Sequence, residues 1–205
     1  MNRSAVFIDR DGTLVHARHY PSRPEQLLLY DGIWSELEQL SNAGFALVLV
    51  TNQSGIARGL FTEADLAAMH SAVFERLSAH NVRFDGAYVC PHHQEGVVEE
   101  FAVECECRKP QPGMLLHAAD ELGLDLASSW MVGDILDDVE AGNRAGCRTI
   151  LVDLGSEPPP AQPIRRPTHV AVDSRHAFQI VLRAKRADVS PKLDYVPPRW
   201  RMVAR

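Results

Sequence analysis

The sequence predicts an α/β protein built on a mostly parallel sheet with helices on both faces. Short, continuous apolar runs such as Phe45–Val50 (FALVLV) read as strands buried on both sides. They alternate with stretches whose apolar residues recur at helical spacing, the order expected of a parallel sheet. Polar residues then stand where the strands end: Asp9, Thr51 and Asp134. Ligands of open α/β sheets sit beyond the carboxyl ends of the strands, so three separated segments are expected to converge on one crevice.

Each element follows from a local pattern. Ser4–Ile8 is an apolar run ending in acid and predicts the first strand. Ile33, Trp34, Leu37, Leu40 and Ala43 recur at helical spacing within Asp31–Ala43, and Gly44 is the stop. Phe45–Val50 is the second strand. Thr62, with Asp65 three residues on, forms a capping box before Leu66, Met69, Val73 and Leu77. Gly86–Val89 predicts a third strand, and residues 90–110, rich in Cys, His and Glu, then break the rhythm. A helix starts at Pro112 or Gly113 and reaches about Leu122, followed by a strand at Trp130–Val132. Asp137–Ala145 is helical and closed by Gly146, and Cys147–Val152 is another strand. Glu157–Pro167 is Pro-rich and reads as a linker to a last strand, His169–Val172, and a last helix, Ala177–Lys185. Pro191, Pro197 and Pro198 make the end irregular, and there is no internal repeat. The expected division is one domain over 1–185, containing a loop at 90–107, and a basic, Pro-containing tail over 186–205.

The chain has 205 residues, 45% hydrophobic and 23% charged, with a formal net charge of −6. That balance is ordinary for a globular protein and excludes disorder throughout. No apolar run approaches the ~20 residues that span a bilayer. The first residues lack the apolar core of a signal peptide, so a cytoplasmic location with reduced cysteines is expected. Residues 165–205 hold ten Lys/Arg and three Asp, a net of +7, which leaves −13 on the rest. An acidic body disfavours nucleic-acid binding. The expected partner is a small molecule, with no nucleic acid and no membrane insertion, and the chain reads as a monomer.

Asp9-Arg10-Asp11-Gly12-Thr13 places two carboxylates at i and i+2 just past a buried strand. Like charges held close repel. A hard cation such as Mg²⁺ relieves the conflict, and Asp134 at another strand end can complete the cluster. One carboxylate can act as a nucleophile and form an aspartyl-phosphate. The other can protonate a leaving oxygen and later activate water. Gly12 would let the backbone turn sharply beneath the site. Taken alone, these five residues read equally as a turn. Thr51-Asn52-Gln53-Ser54 offers hydroxyl and amide donors suited to a phosphate, or a plain polar loop. Arg108-Lys109 supplies the positive charge that phosphoryl transfer needs, although such pairs are also common on surfaces.

Cys90-Pro91-His92 and Cys105-Glu106-Cys107 supply three thiolates and one imidazole, matching a closed tetrahedral structural Zn²⁺ site. His93 is a rival ligand. A disulfide conflicts with a reducing compartment. Cys147 reads as a buried small hydrophobe.

In this order, FIDRDGT, VTNQSG, RKP and VGDILDD resemble the four motif regions of the haloacid-dehalogenase-like phosphohydrolases. The resemblance implies that fold, with Asp9 as nucleophile and Asp11 as acid/base. It implies that Thr51 binds the transferring phosphoryl group and that Lys109 stabilises its charge. Mg²⁺ would be held by Asp9, Asp134 and the backbone carbonyl of Asp11, with Asp138 in support. The stretches GFALVLVTNQSGIARG, CPHH and CECRKP resemble the zinc-containing histidinol-phosphate and heptose-bisphosphate phosphatase branch over about residues 4–155, and more weakly to about 185. In that branch a zinc loop stands in for a large cap, and Cys90, His92, Cys105 and Cys107 carry over as ligands. The implied reaction is hydrolysis of a sugar phosphate monoester, first the 7-phosphate of D-glycero-D-manno-heptose 1,7-bisphosphate. Histidinol phosphate is the alternative substrate. In that family the loop that carries Arg18 and Tyr20 lies near the substrate, as does the position of Ile135, where the heptose enzymes often have Lys; Asn52, Gln53, Ser54 and Arg108 are the other substrate-binding candidates. A phospho-acceptor regulatory domain is the rival from another class. Asp11 argues against it, because such modules lack an acid/base two residues beyond the acceptor.

Overall fold

A computed structural model describes residues 3–189. Six strands form one parallel sheet: β1 (Ala5–Ile8), β2 (Ala46–Asn52), β3 (Gly86–Cys90), β4 (Trp130–Gly133), β5 (Arg148–Val152) and β6 (His169–Ala171). Their order is β3-β2-β1-β4-β5-β6. The helices are α1 (Ile33–Asn42), α2 (Glu63–Ser78), α3 (Gly113–Leu122), α4 (Leu136–Ala145) and α5 (Ser174–Val189).

Alternate residues of the central strands serve two separate cores. Val6, Ile8, Leu47 and Leu49 pack with the apolar faces of α1, α2 and α5. Ala5, Phe7, Val48 and Val50 pack with Met114, Leu115 and Ala118 of α3 and Ala141 of α4. Both faces are dry, which is why these strands read as continuous rather than alternating. β1 pairs with β2 on one side and β4 on the other, so the chain order reverses there. This switch point puts the residues following β1 and β4 side by side.

Local signals account for the helix ends. The Asp65 amide donates to Thr62 Oγ1 at 3.1 Å and the Thr62 amide to Asp65 Oδ2 at 2.8 Å, which is the expected capping box. α4 ends at Gly146 in the left-handed region. α1 starts at Ile33, two residues later than its pattern suggests, and α5 is longer than the expected Ala177–Lys185. The boundary drawn at 185 falls inside α5, and the Pro191, Pro197 and Pro198 stretch lies outside the described residues. Cys147 is buried as expected, but it precedes β5 rather than belonging to it.

Glu157–Pro167 is not a free linker. Pro163–Arg165 form a 3-10 turn, and Asn143 of α4 donates to Ile164 O at 2.7 Å and to Arg166 O at 3.0 Å. Arg165 pairs with Asp137 and Glu140 of α4. Those partners lie on a helix some 20 residues away, so the composition of the segment does not reveal them. Among the described residues, no helix is long and apolar enough to cross a membrane.

α5 is tied to α1 through Glu36, a carboxylate only 3% exposed. It accepts from Arg175 Nε at 3.0 Å and Nη2 at 2.9 Å, and from Gln179 at 3.3 Å. Arg175→Met strands that carboxylate and is expected to lower the urea midpoint of unfolding. Adding Glu36→Leu to that variant should recover part of the loss, since the orphaned charge is then gone.

Candidate active site

Asp9 leaves β1 with its amide donating to Val132 O of β4 at 3.0 Å, so its backbone is fixed across the switch point. Its Oδ1 accepts from Lys109 Nζ at 2.5 Å. The same ammonium donates to Val50 O at 3.0 Å and pairs with Asp138 Oδ1 at 2.5 Å. Lys109 is 2% exposed. Asn52 anchors its backbone: Nδ2 donates to Lys109 O at 3.0 Å, and the Lys109 amide donates to Asn52 Oδ1 at 3.1 Å. The irregular 90–110 segment is thereby stitched to the end of β2.

Carboxylate oxygens of Asp9, Asp134 and Asp138 lie within 4.8 Å of one another. Burial pushes Asp9 up to about 7, with Lys109 opposing and the Asp138 and Asp11 charges adding. Burial, then Asp9 and Asp138, push Asp134 up to about 8. Burial by itself would lower Lys109, but Asp138 and Asp9 outweigh it and hold the ammonium above its ordinary pKa. Three acids thus face one cation. Gly12 makes this approach possible: its φ is +85°, and a Cβ there would lie 2.1 Å from Asp134 Oδ2. A Cβ on Gly133 would likewise fall 2.2 Å from Asp138 Cγ. Asp138 is taken up by Lys109 and by the Ile135 amide, which donates to its Oδ2 at 3.3 Å. That leaves Asp9 and Asp134 as hard oxygen donors with surplus negative charge, a set that fits a divalent cation such as Mg²⁺.

Asp11 does not join this cluster. Arg10 Nη2 donates to its Oδ2 at 2.8 Å, and Gln53 Nε2 donates to the same oxygen at 3.0 Å. Gln53 Nε2 also donates to Thr51 Oγ1 at 2.8 Å. A cleft of about 220 Å³ opens over Asp11, lined by Arg18, Tyr20, Asn52, Gln53 and Ser54. The structure therefore gathers the sequence-predicted substrate-side residues, except Arg108, around one acid. Tyr20 enters with a φ of +45°, in the region that side chains rarely adopt. The amides of Asn52 and Gln53 are engaged in holding Lys109 and Asp11. Arg10 and His70 escaped the sequence reading. Arg10 stands between two acids with no local signal of its partners, and His70 sits on α2 outside every motif segment.

Sγ of Cys90, Cys105 and Cys107 and Nδ1 of His92 also lie within 4.8 Å of one another. Neighbouring donors are 3.2–3.7 Å apart. Four ligands at Zn–S and Zn–N lengths of about 2.0–2.3 Å have edges near those separations. All four cysteines are free thiols. His93 stands outside this set, with its Nε2 3.0 Å from Arg58 Nη2. Arg108 Nη1 donates to His92 O at 3.2 Å and lines a second cleft of about 460 Å³ with His93, Lys109 and Asp137.

A family model described as HAD-hydrolase-like matches residues 106–177. Over 152 residues, 74% of this chain, the sequence is 47% identical to the D-glycero-beta-D-manno-heptose-1,7-bisphosphate 7-phosphatase of Yersinia pestis, covering 81% of that protein. The chain is a HAD-like phosphatase. The Escherichia coli (strain K12) protein of the same name is also 47% identical over 152 residues, 74% of this chain and 80% of that protein. A crystal structure of D,D-heptose 1.7-bisphosphate phosphatase from B. bronchiseptica, complexed with magnesium and phosphate, aligns with a TM-score of 0.75 at 30% identity. The alignment covers 89% of this phosphatase and 99% of that one. The family and fold implied by the four motifs are therefore those of the chain.

The raised carboxylates set a pH dependence. Asp9 and Asp134 bind protons more tightly folded than unfolded, where a carboxyl titrates near ~3.9. Their contribution to the stability of the metal-free protein is therefore present at low pH and is lost as pH rises toward about 7 and about 8. Thermal unfolding without metal should give a lower Tm at about pH 8 than at about pH 5.5, and Asp134→Asn should flatten that slope. Mg²⁺ should raise Tm more at the higher pH, where no proton has to leave first.

Proposed function

We propose that this phosphatase removes the 7-phosphate of D-glycero-beta-D-manno-heptose 1,7-bisphosphate through an aspartyl-phosphate on Asp9. The observation that carries the mechanism is the buried Asp9–Lys109 pair at the switch point, with Asp11 gripped separately two residues on. The relatives named above support the substrate, since the shared 152 residues are 47% identical.

Mg²⁺, held by Asp9 and Asp134 with the Asp11 backbone carbonyl, supplies positive charge for the phosphoryl oxygens. An Asp9 carboxylate oxygen attacks phosphorus in line, and the bond from phosphorus to the sugar oxygen breaks. The electron pair leaves on that oxygen, which takes a proton from Asp11. Water then attacks the aspartyl-phosphate and gives a proton back to Asp11. The bond from phosphorus to Asp9 breaks, restoring the carboxylate and releasing inorganic phosphate. Lys109, already on Asp9 Oδ1, stabilises charge on the transferring group. Thr51 Oγ1 accepts from Gln53, which leaves its own O–H available to a phosphoryl oxygen. Arg18, Tyr20, Asn52, Gln53, Ser54 and Arg108 border the path of the sugar.

Cys90, His92, Cys105 and Cys107 hold a structural Zn²⁺ in this reading, supported by their four-donor geometry. The enzyme works as a cytoplasmic monomer, a compartment consistent with four reduced cysteines. Its catalytic domain runs at least to the end of α5 at Val189, and the basic stretch follows it.

Phosphate release should be at least about tenfold more efficient in kcat/KM on the β anomer of the bisphosphate than on the α anomer or on histidinol phosphate. Asp9→Asn should lose at least about 10³-fold on every ester. A preference for histidinol phosphate in this panel would overturn the substrate assignment. Elemental analysis should find one zinc per chain, and Cys105→Ser should lower both zinc content and Tm, the latter by about 5 °C or more.

A further inference from the structure

His70 lies on α2, outside every motif segment, and is buried beside Phe74. Its Nε2 is 3.2 Å from Arg10 Nη1. An arginine has five N–H donors and no acceptor, so Nε2 accepts and the ring proton sits on Nδ1. Burial, then the Arg10 charge, push His70 down to about 4, and the ring is neutral.

Arg10 is itself 1% exposed, and Asp11 is its anionic partner. Nε and Nη2 donate to Asp11 Oδ2 at 3.1 and 2.8 Å. Nη2 also reaches Asp11 Oδ1 at 3.1 Å and Gln53 Oε1 at 2.9 Å. Gln53 Nε2 adds a further bond to Oδ2 at 3.0 Å. Oδ2 thus takes three donors, whereas Oδ1 has a single shared contact and keeps room for a proton. The guanidinium is a rigid plane, so fixing Nη1 also fixes the two nitrogens that face Asp11.

We propose that His70 is a positioning residue for phosphoryl transfer. It locks the plane of Arg10, and Arg10 with Gln53 locks Asp11 so that Oδ1 carries the proton. That proton passes to the sugar oxygen as its bond to phosphorus breaks, and one returns from water in the second step. The inference rests on Asp11 being the acid/base.

The test compares kcat/KM, which reports the steps through the first phosphoryl transfer, on the sugar bisphosphate and on p-nitrophenyl phosphate. The nitrophenolate leaves without needing a proton. His70→Leu should lose about 10- to 100-fold on the sugar ester, through kcat rather than KM, and less than about threefold on the aryl ester. His70→Gln, whose amide oxygen can accept from Arg10, should recover most of the loss. Equal losses on both esters, no loss, a loss in KM alone, or a His70→Gln as impaired as His70→Leu would each overturn the assignment. Should His70→Leu fail to fold, Arg10→Lys keeps the charge without the fork and must show the same split between esters, or the proposal fails. Asp11→Asn measured alongside separates the two readings. If it splits the esters and the His70 variants do not, only the role of His70 is lost. If Asp11→Asn shows no split, or the wild type turns over neither ester, both readings fall.

Discussion

Burying one ammonium organises this site. An unpaired charge as deep as Lys109 would cost several kcal/mol, so its surroundings have to answer it. Asp9, Asp138 and the Val50 carbonyl do so from three different strand ends or the helix that follows one. The answer is larger than the question, because Asp134 brings a third carboxylate to the same spot. The surplus negative charge raises the proton affinity of Asp9 and Asp134 and makes the pocket a seat for a hard cation. Lys109 and the cation site are therefore consequences of one charge balance.

The same constraint separates two chemically identical acids. Asp9 is dry and faces the ammonium. Asp11, only two residues on, has a 28% exposed side chain at the mouth of a cleft. The left-handed turn at Gly12 takes the chain away from the strand direction, and its missing side chain leaves room for Asp134. Arg10 uses its burial to hold Asp11 rather than Asp9. The two acids are thus distinguished by environment, with no difference in residue type, which is what the proposed division into nucleophile and acid/base requires.

The thiol–imidazole cluster has a mechanical part in this arrangement. Cys90 is the last residue of β3, and its carbonyl accepts from the Gln53 amide at 2.7 Å. Cys107 lies two residues before Lys109. Closing Cys90, His92, Cys105 and Cys107 on one another joins the ends of an irregular loop whose next residues are Arg108 and Lys109. With Asn52 gripping the Lys109 backbone, the loop delivers its lysine to Asp9 from two fixed points.

Much of this was legible in one dimension. Apolar runs and helical spacings located the six strands and five helices of the described residues, most plainly β1, β2 and β4, whose burial on both sheet faces leaves a continuous apolar run. Asp9, Thr51 and Asp134 stood out because they follow apolar strands, Asp11 and Lys109 through the order of the four motifs, and the Cys/His spacing is local too. What could not be read were partnerships across the sequence. Arg10 and His70 carried no local signal, while Asn52 read as a phosphate donor and Glu157–Pro167 as a linker. Each is decided by a group 20 to 60 positions away. The sequence by itself determined which residues carry charge, thiol or hydroxyl and on which side of which strand they emerge, since period and breakers act over a few residues. Only the tertiary structure decided which acid meets the ammonium and which meets the guanidinium. That choice is made by desolvation at the switch point between β1 and β4, which does not exist until the sheet has closed.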